Sequence, residues 1–308
     1  MGNAARGGHA FAKGTMGDSA TSVLSSVQRT PVQQSRAVGE KKGLIPPPPV
    51  NDIKLGPVEF QGYGLILGGA GLAGAKLFHH NVARAGIAGG GKLPSFIPAI
   101  IAGAVGARLY HVASEPGHYR KHPGDIPKIW EGGLGIYGGI AGGTIAGAII
   151  ARRAGLPASK LLDAAAPALA LSQGIGRWGN YSNQELYGKP TDKPWGMQVD
   201  SEYREPGKEK VNSYHPTFLY ESAWNLGLAG GLYTLGKKNP RFAAGTLFAM
   251  YVGGYGAGRF VVDGLRSDKS KEWGGLRQNQ WVSLGLMGAA GLGAVLLHKR
   301  AGRIPLPT

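Results

Sequence analysis

The stretch Leu134-Gly135-Ile136-Tyr137-Gly138-Gly139-Ile140-Ala141-Gly142-Gly143-Thr144-Ile145-Ala146-Gly147-Ala148-Ile149-Ile150-Ala151 decides how this chain is read. Gly135, Gly139, Gly143 and Gly147 fall every fourth residue, so they line one face of a helix. In water each mid-helix glycine costs about 1 kcal/mol relative to alanine. In lipid the penalty on an unpaired peptide group enforces the helix, and small residues let neighbouring helices approach closely. A four-membered glycine stripe inside an apolar run therefore points to a helix built for a bilayer. Gly254 with Gly258, Gly64 with Gly68, and Gly285 with Ala289 and Gly293 repeat the spacing.

Working outward, weakly apolar stretches alternate with short polar loops from Phe60 onward. Seven are legible, at about 60–78, 93–113, 134–151, 161–176, 217–236, 244–263 and 280–298. A membrane-crossing helix needs roughly 20 mostly apolar residues, and most of these come close. Gly and Ala replace much of the expected Leu, Ile and Val, and mean hydropathy is only −0.11. The expected fold is an all-α polytopic membrane protein of about seven transmembrane helices with Gly/Ala-rich packing, spanning residues 46–303. Residues 1–45 show no apolar period and read as a disordered basic tail, without the apolar core of a signal peptide.

The 308 residues carry a formal net charge of +16, which favours anionic partners such as phosphorylated lipids. Cysteine is absent, which excludes disulfides, thiolate catalysis by the protein itself and cysteine metal sites. Nucleic acid is not an expected partner, because the basic residues punctuate apolar stretches instead of clustering with stacking aromatics. Arg152, Arg153 and Lys160 crowd one loop, Lys237, Lys238 and Arg241 a second, and Lys299, Arg300 and Arg303 follow the last stretch. With seven crossings these share one side with Arg84 and Lys92. The positive-inside rule makes that side cytoplasmic, with the N-terminus outside and the C-terminus cytoplasmic. Lys41, Lys42, Lys54, Arg266, Lys269, Lys271 and Arg277 weigh against that orientation.

Chemistry concentrates in Gly176-Arg177-Trp178-Gly179-Asn180-Tyr181-Ser182-Asn183-Gln184-Glu185-Leu186-Tyr187-Gly188, directly after the fourth stretch. Ionisable groups also sit in or beside the other stretches: Arg108 and His111, Glu221, and Arg259 with Asp263. A charge at membrane depth marks a polar interior, a pathway or a site. An arginine fork donates two parallel hydrogen bonds and stays charged in apolar surroundings, which suits a phosphodiester. Arginines from separate helices, with Asn180 and Asn183 as further donors and Tyr63, Tyr137 and Tyr255 as hydroxyls, make a candidate phosphate clamp. Arg259 and Asp263, four apart, also fit simple neutralisation on one helix face. For Glu221 a structural and a functional role are equally open.

The chain resembles the prolipoprotein diacylglyceryl transferase family of bacteria, most closely its actinobacterial branch. The carriers are Ile45-Pro46-Pro47-Pro48-Pro49 with Leu55-Gly56-Pro57, Gly106-Ala107-Arg108-Leu109-Tyr110-His111, and Trp130-Glu131-Gly132-Gly133-Leu134-Gly135-Ile136-Tyr137-Gly138-Gly139. The 176–188 run, Pro190-Thr191-Asp192-Lys193-Pro194-Trp195-Gly196, His215-Pro216-Thr217-Phe218-Leu219-Tyr220-Glu221 and the segment 255–266 complete the set. The resemblance implies a seven-helix inner-membrane transferase. Such an enzyme moves the diacylglyceryl group of phosphatidylglycerol onto the lipobox cysteine thiol of a prolipoprotein and releases glycerol-1-phosphate. It implies no metal and no organic cofactor. Arg177, Arg259, Glu185 and Asn180 are then the expected catalytic set. Tyr63, Arg108, His111, Tyr137, Asn183, Gly188, His215, Tyr255, Asp263 and Arg266 are the expected substrate-binding set.

Three departures accompany the resemblance. Tyr137 stands where many family members have a histidine proposed as base, which leaves the proton acceptor open among His111, His215 and none. Asp263 stands where glutamate is usual, and Ser182 where an apolar residue is common. Two other readings stay open at this point: a non-enzymatic anion or lipid channel using the same arginines, and an inactive relative that keeps the motifs.

Overall fold

The computed structural model describes residues 43–48, 52–55, 58–87, 94–129, 133, 135–239, 242–268 and 270–301. The expected tail lies outside them except at 43–45, where the chain is already folded. There the Leu44 amide donates to the Pro194 carbonyl (2.9 Å) and the Ile45 amide to the Gly196 carbonyl (3.1 Å). Lys41, Lys42, Lys92, Arg241, Lys269, Arg303 and the motif residues Pro49, Gly56, Pro57, Trp130, Glu131, Gly132 and Leu134 also fall outside the described residues.

The fold is mostly helical. Seven long helices follow the seven apolar stretches: α1 (Gly62–Arg84), α2 (Ile97–Ser114), α4 (Ile136–Arg153), α5 (Ala158–Ser182), α6 (Thr217–Lys238), α7 (Thr246–Leu265) and α8 (Gln278–Ala301). A short helix, α3 (Pro116–Lys121), lies between α2 and α4. By length and composition, Ile97–Ser114 and Gln278–Lys299 are apolar enough to cross a membrane. The other long helices are diluted by glycine, alanine and interior polar residues. Three two-stranded antiparallel ribbons complete the described structure: β1 (Asp52–Leu55) with β2 (Val58–Gln61), β3 (Met197–Gln198) with β4 (Ser213–Tyr214), and β5 (Glu272–Trp273) with β6 (Leu276–Arg277).

Helices in closest contact run antiparallel. Tyr63 packs on Gly179 and Asn81 donates to the Ala164 carbonyl, which sets α1 against α5 in opposite directions. The Trp178 indole donates to the Ser222 hydroxyl and Leu226 covers Gly174, pairing α5 with α6. The Trp224 indole lies across Gly258 and donates to the Gly254 carbonyl, pairing α6 with α7. Ser283, Ala290 and Leu297 meet Gly256, Gly253 and Gly245, pairing α7 with α8. The Asp163 carboxylate on α5 accepts the amides of Gly245 (2.7 Å) and Phe248 (2.9 Å), so one helix caps the start of another.

Glycine governs the α2–α4 contact, but the tightest backbone approach lies beside the stripe that spacing singles out. A Cβ on Gly138 would lie 2.1 Å from the Gly106 carbonyl oxygen, and one on Gly142 2.3 Å from that of Ala102. Of the stripe itself, Gly135 is closed over by the Tyr110 ring, while Gly139, Gly143 and Gly147 have ordinary clearance, at 3.5–4.0 Å. The close backbone approach therefore runs one residue round the helix. Gly64, Gly68, Gly285 and Gly293 face no heavy atom within 4 Å, so those repeats face away from the helices described here.

The core is small-residued and partly polar, while bulky apolar side chains point outward. Ala166, Ala170 and Ala229 are buried with Leu232 and Tyr251. Ile100, Val105, Leu109, Ile140, Ile145, Leu292 and Val295 are exposed. The 183–216 connection is not a plain polar loop. Tyr187, Met197, Val199, Tyr214 and Phe218 form its own buried cluster, joined by Ile45 and Tyr181, so it is a compact cap over the ends of α5 and α6.

The close approach of α2 and α4 yields a test. Gly138→Val and Gly142→Val drive a side chain into backbone, which cannot yield as a side chain does. Overpacking alone costs roughly 1–3 kcal/mol. Each should lower the thermal midpoint of the protein in detergent by several degrees or prevent its recovery, while Gly64→Ala leaves the midpoint unchanged.

Candidate functional site

Hydropathy ends the fourth stretch at 176, but α5 continues to Ser182, so Arg177 and Asn180 sit on its last turns and not in a following loop. Pro167 is buried within the same helix, which bilayer helices tolerate where neighbours satisfy the freed carbonyl. After Ser182 the chain reverses through two left-handed, non-glycine residues, Gln184 (φ 50°) and Leu186 (φ 57°). Bulky residues adopt this conformation only when the surroundings hold them there. The Gln184 side chain supplies that hold: its amide nitrogen donates to Asp200 Oδ2 (2.7 Å), and its oxygen accepts the Asp200 amide (2.8 Å). The Leu186 carbonyl accepts the Thr217 hydroxyl (2.6 Å). Gly188 follows where three segments converge, since a Cβ there would meet His215 Cβ at 2.6 Å and the Leu265 carbonyl oxygen at 2.9 Å.

This backbone delivers two guanidiniums from different helices to one carboxylate. Arg177 on α5 places Nη2 2.6 Å from Glu221 Oε2, and Arg259 on α7 places Nη1 3.2 Å from Glu221 Oε1. Glu221 comes from α6, so three helices meet at this point. Arg177 Nη1 lies 3.5 Å from Asn180 Oδ1, and Asn180 Nδ2 donates to Glu185 Oε1 (2.8 Å). On the other flank, Arg259 Nη2 is 3.3 Å from Asp263 Oδ1. Asp263 is fully buried, with Oδ2 3.5 Å from Arg277 Nε and Oδ1 accepting from Asn279 Nδ2 (3.2 Å). Arg277 also pairs with Asp268 (3.3 Å), which pairs with Arg266 (2.6 Å).

Of the residues expected from sequence, Arg177, Asn180, Glu185, Arg259 and Asp263 are thus directly linked, and Arg266 joins through Asp268 and Arg277. Gly188 pairs with Arg266 across a backbone bridge. The Tyr63 ring lies on Gly179, within electrostatic reach of Glu185 and Arg177. Tyr255 lies one turn before Arg259 and packs with Tyr251 in the helical core. Asn183 is exposed at the end of α5, its amide donating to the Gly179 carbonyl (3.0 Å).

The remaining candidates sit in other surroundings. Arg108 donates to the carbonyls of Asp125, Ile126 and Gly133, anchoring the α2–α4 connection. His111 stands edge-on to Tyr119, and Tyr137 is exposed beside Tyr110. His215 Nδ1 is 3.1 Å from the Tyr220 hydroxyl, which also accepts from the Trp195 indole. Burial, then the charge of Lys193, lowers the His215 pKa, so the ring stays neutral at pH values where a free histidine begins to charge.

Sequence reasoning gave Glu221 no place in the candidate set and treated Arg277 only as a loop charge. Both had a signal. A carboxylate inside an apolar helix needs a cation within reach, and buried Asp263 needs more charge compensation than Arg259 alone provides.

A sequence profile described as prolipoprotein diacylglyceryl transferase matches residues 51–297. The chain belongs to the prolipoprotein diacylglyceryl transferase family. Its relatives include phosphatidylglycerol–prolipoprotein diacylglyceryl transferase 2 of Streptomyces coelicolor, 41% identical over 268 residues, covering 84% of this chain and 82% of that one. The phosphatidylglycerol–prolipoprotein diacylglyceryl transferase of Trichormus variabilis is 39% identical over 261 residues, covering 83% and 91%. That of Paenarthrobacter aurescens is 39% identical over 269 residues, covering 83% and 84%. The family match thus contains every candidate site residue, from Tyr63 to Arg266.

Removing the shared carboxylate tests the network. Glu221→Ala strands two partly buried guanidiniums, and breaking such a pair typically costs about 3–5 kcal/mol. Thermal unfolding in detergent should show a large loss for Glu221→Ala and a smaller one for Glu221→Gln, which keeps shape and hydrogen bonding. Equal stability of Glu221→Ala and the parent would show that the arginines do not depend on it.

Proposed function

We propose that this protein is a membrane transferase that moves the diacylglyceryl group of phosphatidylglycerol onto the lipobox cysteine thiol of prolipoproteins. The observation that carries the reading is the convergence of Arg177 and Arg259 on one carboxylate, in a chain of this family. A carboxylate offers two oxygens to two guanidiniums, as a phosphodiester offers its two non-bridging oxygens. Phosphate bound there takes the place of, or shares, the Glu221 contacts. The acceptor sulfur attacks the glyceryl carbon that bears the phosphodiester. The sulfur–carbon bond forms, the carbon–oxygen bond breaks, glycerol-1-phosphate leaves with the electron pair, and the thiol proton is released. Preorganised donors matter most where charge develops, here on the departing phosphate. A cysteine thiol near pKa 8.5 supplies some thiolate at neutral pH without a dedicated base.

Glu185 acts through Asn180, which it orients toward Arg177. Tyr63 and Tyr255 flank the site from α1 and α7, and Gly188 keeps the signature turn against Arg266. No metal or organic cofactor enters this scheme.

The membrane reading extends to all seven long helices. Their outward faces are bulky and apolar while small and charged residues face inward, which is the partition lipid favours. Alternating directions carry the 183–216 cap, the 115–129 connection and the β5–β6 ribbon to one end. Arg84, Arg152, Arg153, Lys237, Lys238 and Lys299 lie at the other. We take the second end as cytoplasmic in the bacterial plasma membrane. The cap and the arginine network then face outward, where exported prolipoproteins present their lipobox.

Two measurements test this. Purified protein in detergent, given phosphatidylglycerol labelled in its acyl chains and a lipobox peptide, should yield labelled peptide and glycerol-1-phosphate. Arg177→Ala and Arg259→Ala should each lose about 10²–10³-fold, the usual cost of removing one such donor. Unlabelled peptide from the parent protein would end the proposal, and full activity in Arg177→Ala would remove the clamp from it. For topology, the cysteine-free chain accepts single reporters. A membrane-impermeant maleimide should label Lys193→Cys in intact cells and Lys238→Cys only after permeabilisation; the reverse pattern inverts the orientation.

A further inference from the structure

The connection between α2 and α4 carries a cluster that the transfer reaction does not use. His118 lies on α3, His122 ends it, and Asp125 stands in the next turn, giving the pattern His-x3-His-x2-Asp. One ligand atom from each residue lies within 4.8 Å of the others. His118 Nε2 is 3.4 Å from Asp125 Oδ2, and the two imidazoles stack at 5.1 Å between centroids, tilted by 30°. Tetrahedral zinc, with bonds of about 2.0–2.1 Å, holds neighbouring donors roughly 3.3 Å apart. His118 and Asp125 are already near that spacing, and binding requires the exposed His122 ring to rotate toward them.

We propose that His118, His122 and Asp125 form a divalent transition-metal site of the zinc class. Two imidazoles with one carboxylate suit such ions, whereas magnesium and calcium require mostly oxygen donors. Both histidines are exposed and Asp125 is partly so, which leaves the remaining coordination positions to water.

The backbone beneath the three residues is fixed in advance. Pro116 opens α3, and Pro123 follows His122. Tyr119, between the histidines in sequence, is buried at 7% exposure, edge-on to both His118 and His111. Arg108 lies over the Tyr119 ring at 5.4 Å and donates to the carbonyls of Asp125 and Ile126. The metal thus cross-links α3 to the following turn on a platform set by α2. Lys128 is the resident competitor, with Nζ 2.7 Å from Asp125 Oδ1. The ion takes Oδ2, the oxygen that faces His118, and Lys128 keeps Oδ1 at a cost in affinity.

The test uses the full chain in detergent, without a polyhistidine tag and stripped of metal, titrated with zinc and separately with magnesium. Equilibrium dialysis with metal analysis should find one zinc per chain and no magnesium. His118→Gln and His122→Gln should each weaken zinc binding by roughly 10–100-fold, at least the usual effect of losing a supporting residue around a metal. Lys128→Met should tighten it several-fold. Failure to bind zinc, or binding unchanged in both histidine variants, overturns the site; the latter places the ion elsewhere, such as the adjacent His79 and His80. Tighter magnesium than zinc binding overturns the assigned class.

Discussion

The candidate site rests on the buried carboxylate of Glu221. It stands between Arg177 of α5 and Arg259 of α7, and without it two cations would face each other across the junction of three helices. Desolvation of unpaired guanidiniums is costly, and a pair that loses one partner loses far more than a surface bridge does. The positions of α5, α6 and α7 near the cap are therefore set by charge pairing as much as by packing. Ala166, Ala170 and Ala229 provide the close contact that lets long arginines reach across it.

The pairing extends beyond Glu221. Glu185 reaches Arg177 through Asn180, and Asp263 links Arg259 to Arg277, which Asp268 connects to Arg266. Four guanidiniums alternate with four carboxylates, so the network carries little formal excess charge. On the proposed function, an anionic headgroup entering such a network would gain less from bulk attraction than from exchange. It would have to offer Arg177 and Arg259 better-placed oxygens than Glu221 does. That favours a phosphate, with oxygens in tetrahedral array, over a second carboxylate. Asp263 reaches Arg259 because both are on α7 four residues apart.

Much of this was legible in the sequence. The seven apolar stretches became the seven long helices, and the 176–188 run, Arg259 and Asp263 supplied most of the linked residues. The failures have physical causes. Hydropathy stopped the fourth stretch at 176, because it does not register a helix whose polar last turns face a protein interior. Arg177 was therefore placed just beyond the helix that holds it. The four-residue spacing of Gly135, Gly139 and Gly143 identified a helix with a small-residue face. Rotation about the axis depends on the partner, and the tightest contact fell on Gly138 and Gly142. Arg108 and His111 matched family motifs, but such matches do not indicate direction; Arg108 turns toward loop carbonyls. The cap was unreadable because its core draws Ile45, Met197, Val199 and Tyr214 from segments with no local period.

The low mean hydropathy follows from the same architecture. A helix bundle in water buries its large apolar residues and exposes charge. Here the interior holds Gly, Ala, Asn, Arg, Glu and Asp, while Ile100, Ile140, Ile145, Leu292 and Val295 point outward. Glycine adds almost nothing to a hydropathy sum, and interior charges subtract from it. A chain that packs through backbone contact and carries a polar network at its centre therefore scores as barely apolar while many of its bulky apolar side chains face outward. In water that exterior would be a large aggregation-prone patch. On the proposed membrane reading lipid would cover that exterior, and glycines such as Gly106, Gly138 and Gly142, which would weaken their helices in water, are where helices approach.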